Sequence, residues 1–451
     1  MSTSERLRAV VVEGLFGSHD YTINLDSTRP TVLTGSNGTG KSTILRLINA
    51  IARADIDTLA NAPLNALRID FESTHPFSLV RDRKTQTLAL TWGEHSTLID
   101  ISWDSQLQTL PQWAREIINE FPDDVEDFMT EFMRHAPERV TYSEFAEVRD
   151  RLRDLSSKPR RMPPPDWFKD LQSQFAVLFI SDQRLIVEPQ RPGVLSSTSR
   201  RPPGPRRGSS RSGARRSIDH ASSDIASRIQ DADSKYARVS QEHDRTFPRD
   251  VVDAMRQSKS VSQSRVSKLV KDVDIERERL RSVGLLDRAE RYDPKIEPSD
   301  LEDPRVRAVV ARIMEANLKK LGVLGDLALR LTTYKEFLDR RFAPKSITLN
   351  RRLGVRIDLS EGGSIAPGDL SSGEQQMAVM AYEILFRTAP NTLVIIDEPE
   401  ISLHVLWQDT LIEDLSQMGS ASGLQFLMAT HSPVILANHS ELERSLDDLA
   451  R

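Results

Sequence analysis

The pattern of apolar and polar positions changes character along the chain. Near the start, Leu7–Glu13 and Asp20–Leu25 read as strands, the second with clear alternation, and Thr31–Thr34 is a short apolar strand that stops at Gly35. From Thr39 to Ile51 the spacing becomes helical, with Ile44, Leu45, Leu47, Ile48 and Ile51 on one stripe. Thr87–Trp92 and Thr97–Trp103 predict a hairpin around Gly93-Glu94. Helical patterns cover Pro111–Phe121 and Ser143–Leu155, and Ala176–Ile180 is another compact apolar strand.

A composition break follows. Arg191–Arg216 is crowded with Arg, Ser, Pro and Gly and has almost no large apolar residue. Such a stretch cannot bury enough surface to offset ordering entropy, so disorder is expected. From Asp224 to Leu286 the chain is polar and helix-favouring, with Pro248 expected to separate two helices. Val266, Leu269, Val270, Val273, Leu280 and Val283 give the second helix a partial apolar stripe. A further helix is expected from about Asp303 to Phe342. Strand character then returns, with a hairpin from Ser346–Leu349 and Val355–Leu359 and strands at Thr392–Ile396 and Gln425–Thr430. Helices are expected from Gly373 and over His404–Met418. The expected fold class is α/β, built from both chain ends around a helical insertion. The expected parts are a first portion at 1–190, a disordered loop at 191–223, a helical arm at 224–343 and a second α/β portion at 344–451.

Composition narrows this picture modestly. The 451 residues carry a formal net charge of −5 and are 38% hydrophobic, an ordinary balance for a core-forming protein. Bulk charge does not favour a nucleic-acid binder, so contact with DNA would rely on a local patch such as Arg191–Arg216, for which a solvated loop is the preferred reading. With no cysteine, disulfides, thiolate metal sites and a cysteine nucleophile are excluded. No signal-like or membrane-spanning run stands out, and the expected location is cytoplasmic, with no membrane partner.

The chemistry-bearing segments lie at strand ends. Gly35-Ser36-Asn37-Gly38-Thr39-Gly40-Lys41-Ser42, continued by Thr43, matches G-x-x-x-x-G-K-S between a strand and a helix. Its glycines let backbone N–H groups turn toward phosphate, Lys41 reaches the β- and γ-phosphates, and Ser42 offers a hydroxyl to Mg²⁺. The competing reading is a plain glycine-rich turn before a helix. Leu393–Ile396 is an apolar strand that delivers Asp397 and Glu398 to the edge where α/β ligands bind. Asp397 would hold Mg²⁺ and Glu398 would act as general base toward water. Read alone, the Asp-Glu pair fits a surface turn as well.

Leu370-Ser371-Ser372-Gly373-Glu374-Gln375 precedes a helix and resembles the signature loop of ABC-type ATPases, usually L-S-G-G-Q. Here Ser372 replaces a glycine and Glu374 the glutamine. Read without the resemblance, the segment is a serine cap on a plain helix. The resemblance implies an ABC-type ATPase head that binds ATP and Mg²⁺, with Ser371, Ser372 and Gly373 touching the γ-phosphate held by a second copy. It also implies that His431, in Thr430-His431-Ser432-Pro433, senses the γ-phosphate. Gln183, beside Arg184, would match the Q-loop glutamine that reaches Mg²⁺ and water. Pro399-Glu400-Ile401-Ser402-Leu403-His404 resembles the D-loop of the branch containing OLD, RecF and SMC proteins, which makes Ser402 and His404 candidates for coupling two sites.

About 330 residues separate Lys41 from Ser371, far more than in transporter subunits of the family, and the excess resembles the inserted arms of that branch. Little chain follows His431, so a nuclease domain such as OLD proteins carry is not expected here. The chain is thus similar to ATPase subunits of bacterial anti-phage systems such as Septu and PARIS, which act with a separate effector. That similarity implies an ATP-sandwich dimer or higher oligomer serving a nuclease or toxin partner. A RecF-like DNA repair clamp and a non-hydrolysing ATP-bound scaffold are the alternatives.

Overall fold

The computed structural model describes residues 5–101, 164–180, 210–256, 261–286, 297–402 and 405–449, with backbone only for a few of them. The expected helices at Pro111–Phe121 and Ser143–Leu155 lie outside these residues, as does most of Arg191–Arg216.

The chain forms two compact units. The first comprises Met1–Phe179, Ala389–Pro399 and Leu424–Arg451. Its strands are β1 (Leu7–Leu15), β2 (His19–Asn24), β3 (Thr31–Thr34), β4 (Ala66–Phe71), β5 (Phe77–Asp82), β6 (Thr87–Trp92), β7 (His95–Asp100) and β8 (Val177–Ile180, whose last residue passes into the second unit). Strands β12 (Leu393–Asp397), β13 (Gln425–Ala429) and β14 (Glu443–Ser445) complete it. Six of these form an antiparallel sheet in the order β2-β1-β4-β5-β6-β7. The other sheet runs β14-β3-β13-β12-β8, and its β14, β3, β13 and β12 are parallel neighbours.

The two sheets differ in sequence for a physical reason. Along β6 the buried positions are Leu88, Leu90 and Trp92, every second residue, as one covered face requires. β12 and β13 are buried at every position, because a parallel sheet is covered on both faces. Helix α1 (Lys41–Arg53) packs Ile44, Leu45, Leu47, Ile48 and Ile51 into the core, the stripe expected from spacing. Gln425 is only 2% exposed, yet its carboxamide is satisfied: Oε1 accepts from Leu7 N (2.9 Å), and Nε2 donates to Leu7 O (2.7 Å) and Asp26 O (3.1 Å). One buried amide thereby ties the start of β13 to β1 and to the chain after β2.

The second unit, Ile180–Thr388 with Glu400–Gly423, is mainly helical. It contains a three-stranded sheet in the order β11-β10-β9, from β9 (Ser346–Asn350), β10 (Gly354–Asp358) and β11 (Ser364–Ile365). Gly354 holds φ 70°, and a Cβ there would stand 1.8 Å from the Ser222 carbonyl oxygen, so only glycine lets the hairpin approach the helix Ser210–Arg256. The α/β class and the helical insertion are as the sequence predicts.

Four local expectations need correction. The helix Ser210–Arg256 begins inside the stretch read as disordered, and Ile218, Ala221 and Ser222 are buried. Its apolar stripe of Ile218, Ala221, Ile225 and Ile229 packs, and helix propagation from a packed region is favourable even through polar residues. Pro248 does not divide this helix. Its surroundings are exposed, so water can satisfy the carbonyl that the missing N–H leaves. The helix expected over Asp303–Phe342 is two, Pro304–Gly322 and Gly325–Phe342, because Gly322 and Gly325 bracket a weak point in helix propensity. His404–Met418 is likewise broken into Val405–Gln408 and Leu411–Ser422 at Asp409-Thr410, residues that prefer caps and turns. The helix Gln263–Ser282 buries Val266, Val273 and Leu280, one residue every heptad, while Leu269 and Val270 are only partly covered.

Candidate functional site

Three parallel strands end side by side in the first unit. Leu33 of β3 pairs with Ala429 of β13, and Ala429 pairs with Asp397 of β12. The residues just past each strand therefore emerge at one edge of the sheet: the loop Gly35–Gly40, Glu398, and Thr430-His431. Glu398 N donates to Ala429 O (2.9 Å) and Thr430 N to Leu33 O (3.1 Å), which locks the register at that edge.

The loop curls through positive φ at Gly35, Gly38 and Gly40. At Gly40 a side chain is impossible twice over, since φ is 96° and a Cβ would meet Leu15 Cδ2 at 2.4 Å. Lys41 opens α1, is 5% exposed, and its ammonium donates to Gly35 O (2.8 Å) and Ser36 O (3.1 Å). The loop thus wraps around the charge it presents. Ser42 Oγ donates to Asp397 Oδ1 at 2.9 Å, across 355 positions of sequence. Asp397 is 4% exposed. A hydroxyl beside a buried carboxylate is a hard-oxygen pair suited to Mg²⁺, which keeps several waters and needs few protein ligands. Among the described residues no group of three or more His, Cys, Asp or Glu side chains could hold a metal ion. Ser42 and Asp397 fit a site in which phosphate and water complete the shell of the ion.

Glu398 holds the left-handed region at φ 50°, unusual for a residue with a side chain. Such strain persists where the surroundings over-determine it, commonly at functional positions. His431 is exposed beside buried Ser432, whose N–H donates to Thr430 Oγ1 (2.9 Å). Thr43 lies on the flank of α1, lining a hollow of 370 Å³ with Arg46, Asp57 and Thr58.

Sequence reading missed three residues here. Phe16 is 48% exposed and held at φ 53°, and its ring edge would stand 3.2 Å from a Cβ on Gly40. Tyr21 donates from its hydroxyl to Thr39 O (3.0 Å). Asp447 Oδ2 accepts from Ser36 N (2.9 Å) and Ser36 Oγ (3.0 Å). Only the Phe16 position carried a local signal, a large apolar residue between glycines in Gly14-Leu15-Phe16-Gly17.

The signature-like segment belongs to the second unit. Ser371 is the N-cap of the helix Ser372–Tyr382 in a capping box: Glu374 N donates to Ser371 Oγ (3.4 Å), and Ser371 N donates to Glu374 Oε2 (3.0 Å). Lys345 Nζ lies 2.7 Å from Glu374 Oε1. Gln375 is buried and donates to Gly368 O (2.9 Å) and Leu370 O (2.8 Å), which fixes the loop in front of the helix. Beyond its chain neighbours and its own helix backbone, no heavy atom lies within 4 Å of where a Cβ at Gly373 would stand, so this turn presents open backbone. Burial alone would raise the Glu374 carboxyl, but hydrogen bonds from Lys345 and Ser371 outweigh it and hold the group below its ordinary value of 4.5. A depressed carboxyl contributes stability above its unfolded pKa and loses it as pH falls through the folded one. Glu374→Ala is expected to lower unfolding stability by about 1 kcal/mol at neutral pH, with the gap to the native chain closing below the ordinary carboxylate range. Denaturant titrations across pH check this.

The structure brings the phosphate loop, Asp397, Glu398 and the His431 backbone to one edge of one sheet. Ser371, Ser372 and Gly373 lie in the other unit. Gln183, Arg184 and His404 fall outside the described residues, and Ser402 ends the short turn Pro399–Ser402.

No curated protein matches the chain. Among solved structures, the SMC head domain of Pyrococcus furiosus with an extended coiled coil, bound to the C-terminal domain of ScpA, is 16% identical, with 96% of this chain and 92% of that chain covered and a TM-score of 0.34. The SMC head domain of Thermotoga maritima is 10% identical, with 96% and 91% covered and a TM-score of 0.33. Residues 179–437 match the family described as "AAA domain, putative AbiEii toxin, Type IV TA system", a stretch that holds the signature-like loop, Asp397-Glu398 and His431. With more than half of its length matched, the chain belongs to this AAA-domain family of P-loop ATPases.

Proposed function

We propose that the chain is a Mg²⁺-dependent ATPase of the ABC type, working as an ATP-sandwich homodimer or larger homo-oligomer. The carrying observation is the Ser42–Asp397 hydrogen bond at 2.9 Å, which joins the half-buried start of α1 to the buried carboxylate at the end of β12. The N–H groups of Gly38–Ser42 and the α1 N-terminus cradle the phosphates, and Lys41 neutralises their charge. Magnesium, when bound to Ser42 and Asp397, adds charge neutralisation at the phosphate oxygens. Glu398 accepts a proton from the attacking water, and His431 sits beyond the neighbouring strand to contact the γ-phosphate. Phe16 offers an exposed ring beside the loop on which adenine can stack. Ser371–Gly373 present a helix N-terminus and open backbone suited to the phosphate held by a second copy.

The family description, an AAA domain of a putative toxin in a toxin–antitoxin system, is compatible with a defence role. In our reading ATP-bound oligomers act there as sensor and scaffold for a separate nuclease or toxin effector. The test is purification of the native complex in ATP and Mg²⁺ with mass photometry and mass spectrometry. The expected result is a dimer or larger assembly that falls to monomer without nucleotide and carries a stoichiometric effector. A monomer in saturating ATP removes the sandwich, and an oligomer holding only DNA removes the effector role in favour of a repair clamp.

A further inference from the structure

The hydrogen bonds from Ser36 to Asp447 are not needed by the chemistry above. Asp447 is exposed, and a solvated carboxylate has no reason of its own to leave water. Its position is instead imposed by the segment that carries it. β14 pairs in parallel with β3, setting Glu443 opposite Val32, Arg444 opposite Leu33 and Ser445 opposite Thr34. Thr34 Oγ1 donates to Glu443 Oε1 (2.6 Å), and Leu446 is fully buried in the core. The next residue is Asp447, delivered to the loop one step beyond its last anchor. A Cβ on Gly35 would lie 3.3 Å from Leu446 Cβ and 3.6 Å from Asp447 Oδ1, so the segment rests against the loop's first turn. One carboxylate oxygen then accepts both the backbone and the side-chain donor of Ser36.

A second feature gives this contact direction. β3 lies between β14 and β13, and a single stretch of chain runs from His431, just past β13, to Asp447, just past β14. The phosphate loop leaves its strand with one end of that stretch on either side. Tyr21, whose hydroxyl holds Thr39 O, also feels the carboxylate: burial first, then the Asp447 charge, raise its phenol above the ordinary value. Ser36 at the start of the loop and Thr39 near its end are thus both held from outside the loop.

Resting on the nucleotide-site reading above, we propose that Asp447 is a positioning residue for the phosphate loop, bracing Ser36 so that the following N–H groups are preset for phosphate. The stretch 431–447 then links the residue facing the γ-phosphate to the shape of the loop that binds it. A preset loop binds more tightly because less order has to be imposed on binding.

The experiment uses the full chain with ATP and Mg²⁺, reading Kd with a fluorescent ATP analogue and KM and kcat by phosphate release. Asp447→Ala is expected to raise Kd and KM about fivefold while kcat stays within about twofold. Asp447→Asn keeps an acceptor oxygen for Ser36 and is expected to restore binding to near the native value. Ser36→Ala/Asp447→Ala should bind no worse than Asp447→Ala alone, since Ser36→Ala removes only the hydroxyl bond that Asp447→Ala has already broken. Asp448→Ala serves as the neighbouring control, and thermal melts confirm that each variant is folded. Native affinity in Asp447→Ala, or additive effects of the two substitutions, overturns the brace. Equal tightening by Asp447→Ala and Asp447→Asn also overturns it, because the carboxylate would then act as a competing anion. Unchanged ATP binding in Lys41→Ala would instead sink the nucleotide-site reading itself, so the two failures are distinguishable.

Discussion

Lys41→Ala should weaken ATP binding by roughly a hundredfold, about 3 kcal/mol, and with it abolish turnover at ordinary ATP concentrations. Three contributions act together. Lys41 as a residue is 5% exposed, so its charge is less screened than a surface lysine's toward phosphates brought to the loop. It donates to Gly35 O and Ser36 O, and without it those carbonyls lose the donor around which the loop is wound. The loop then has to order itself at the moment of binding. Calorimetric titration of the purified variant with ATP and Mg²⁺ decides the matter, with circular dichroism to show a folded chain. Binding within a few-fold of native would mean that Gly35–Ser42 is a glycine-rich turn and not a phosphate site.

Glu398→Gln separates binding from chemistry. The amide keeps the size of the side chain and the backbone bond from Glu398 N to Ala429 O, but it cannot take a proton from water. Hydrolysis is expected to fall by roughly 10²–10⁴-fold, with ATP affinity nearly unchanged, the range typical for loss of a general base. Phosphate release under single-turnover conditions, beside equilibrium binding of the same protein, checks both halves. A variant that hydrolyses at the native rate would move the base elsewhere, whereas one that loses affinity as well would show that the left-handed backbone at φ 50° tolerates only the native residue.

What was legible in the sequence follows from the range of the physics involved. Gly35–Ser42 is readable because its requirements are local: glycines for positive φ, a lysine and a serine at the helix start. β12 and β13 are readable because burial on both faces leaves continuous apolar runs ending in Asp397 and Thr430. β4 and β5 went unread, since Arg68, Asp70, Arg81 and Asp82 interrupt short alternations that only sheet pairing makes coherent. The helix boundaries at 210, 322–325 and 409–410 depend on which faces find tertiary partners. The contact between Ser36 and Asp447 spans 411 positions, and no pattern within either segment announces it.

The long excursions of the chain start and finish on adjacent strands. β8 and β12 are neighbours, with Leu393 N donating to Ala176 O (3.0 Å), and β12 and β13 are neighbours in register. Residues 180–388 fill the first gap and 400–423 the second. Closing a flexible excursion costs only about 0.6 kcal/mol more for each doubling of its length. The sheet therefore works like a socket with fixed contacts, and what is plugged into it can grow, shrink or be exchanged at small thermodynamic cost.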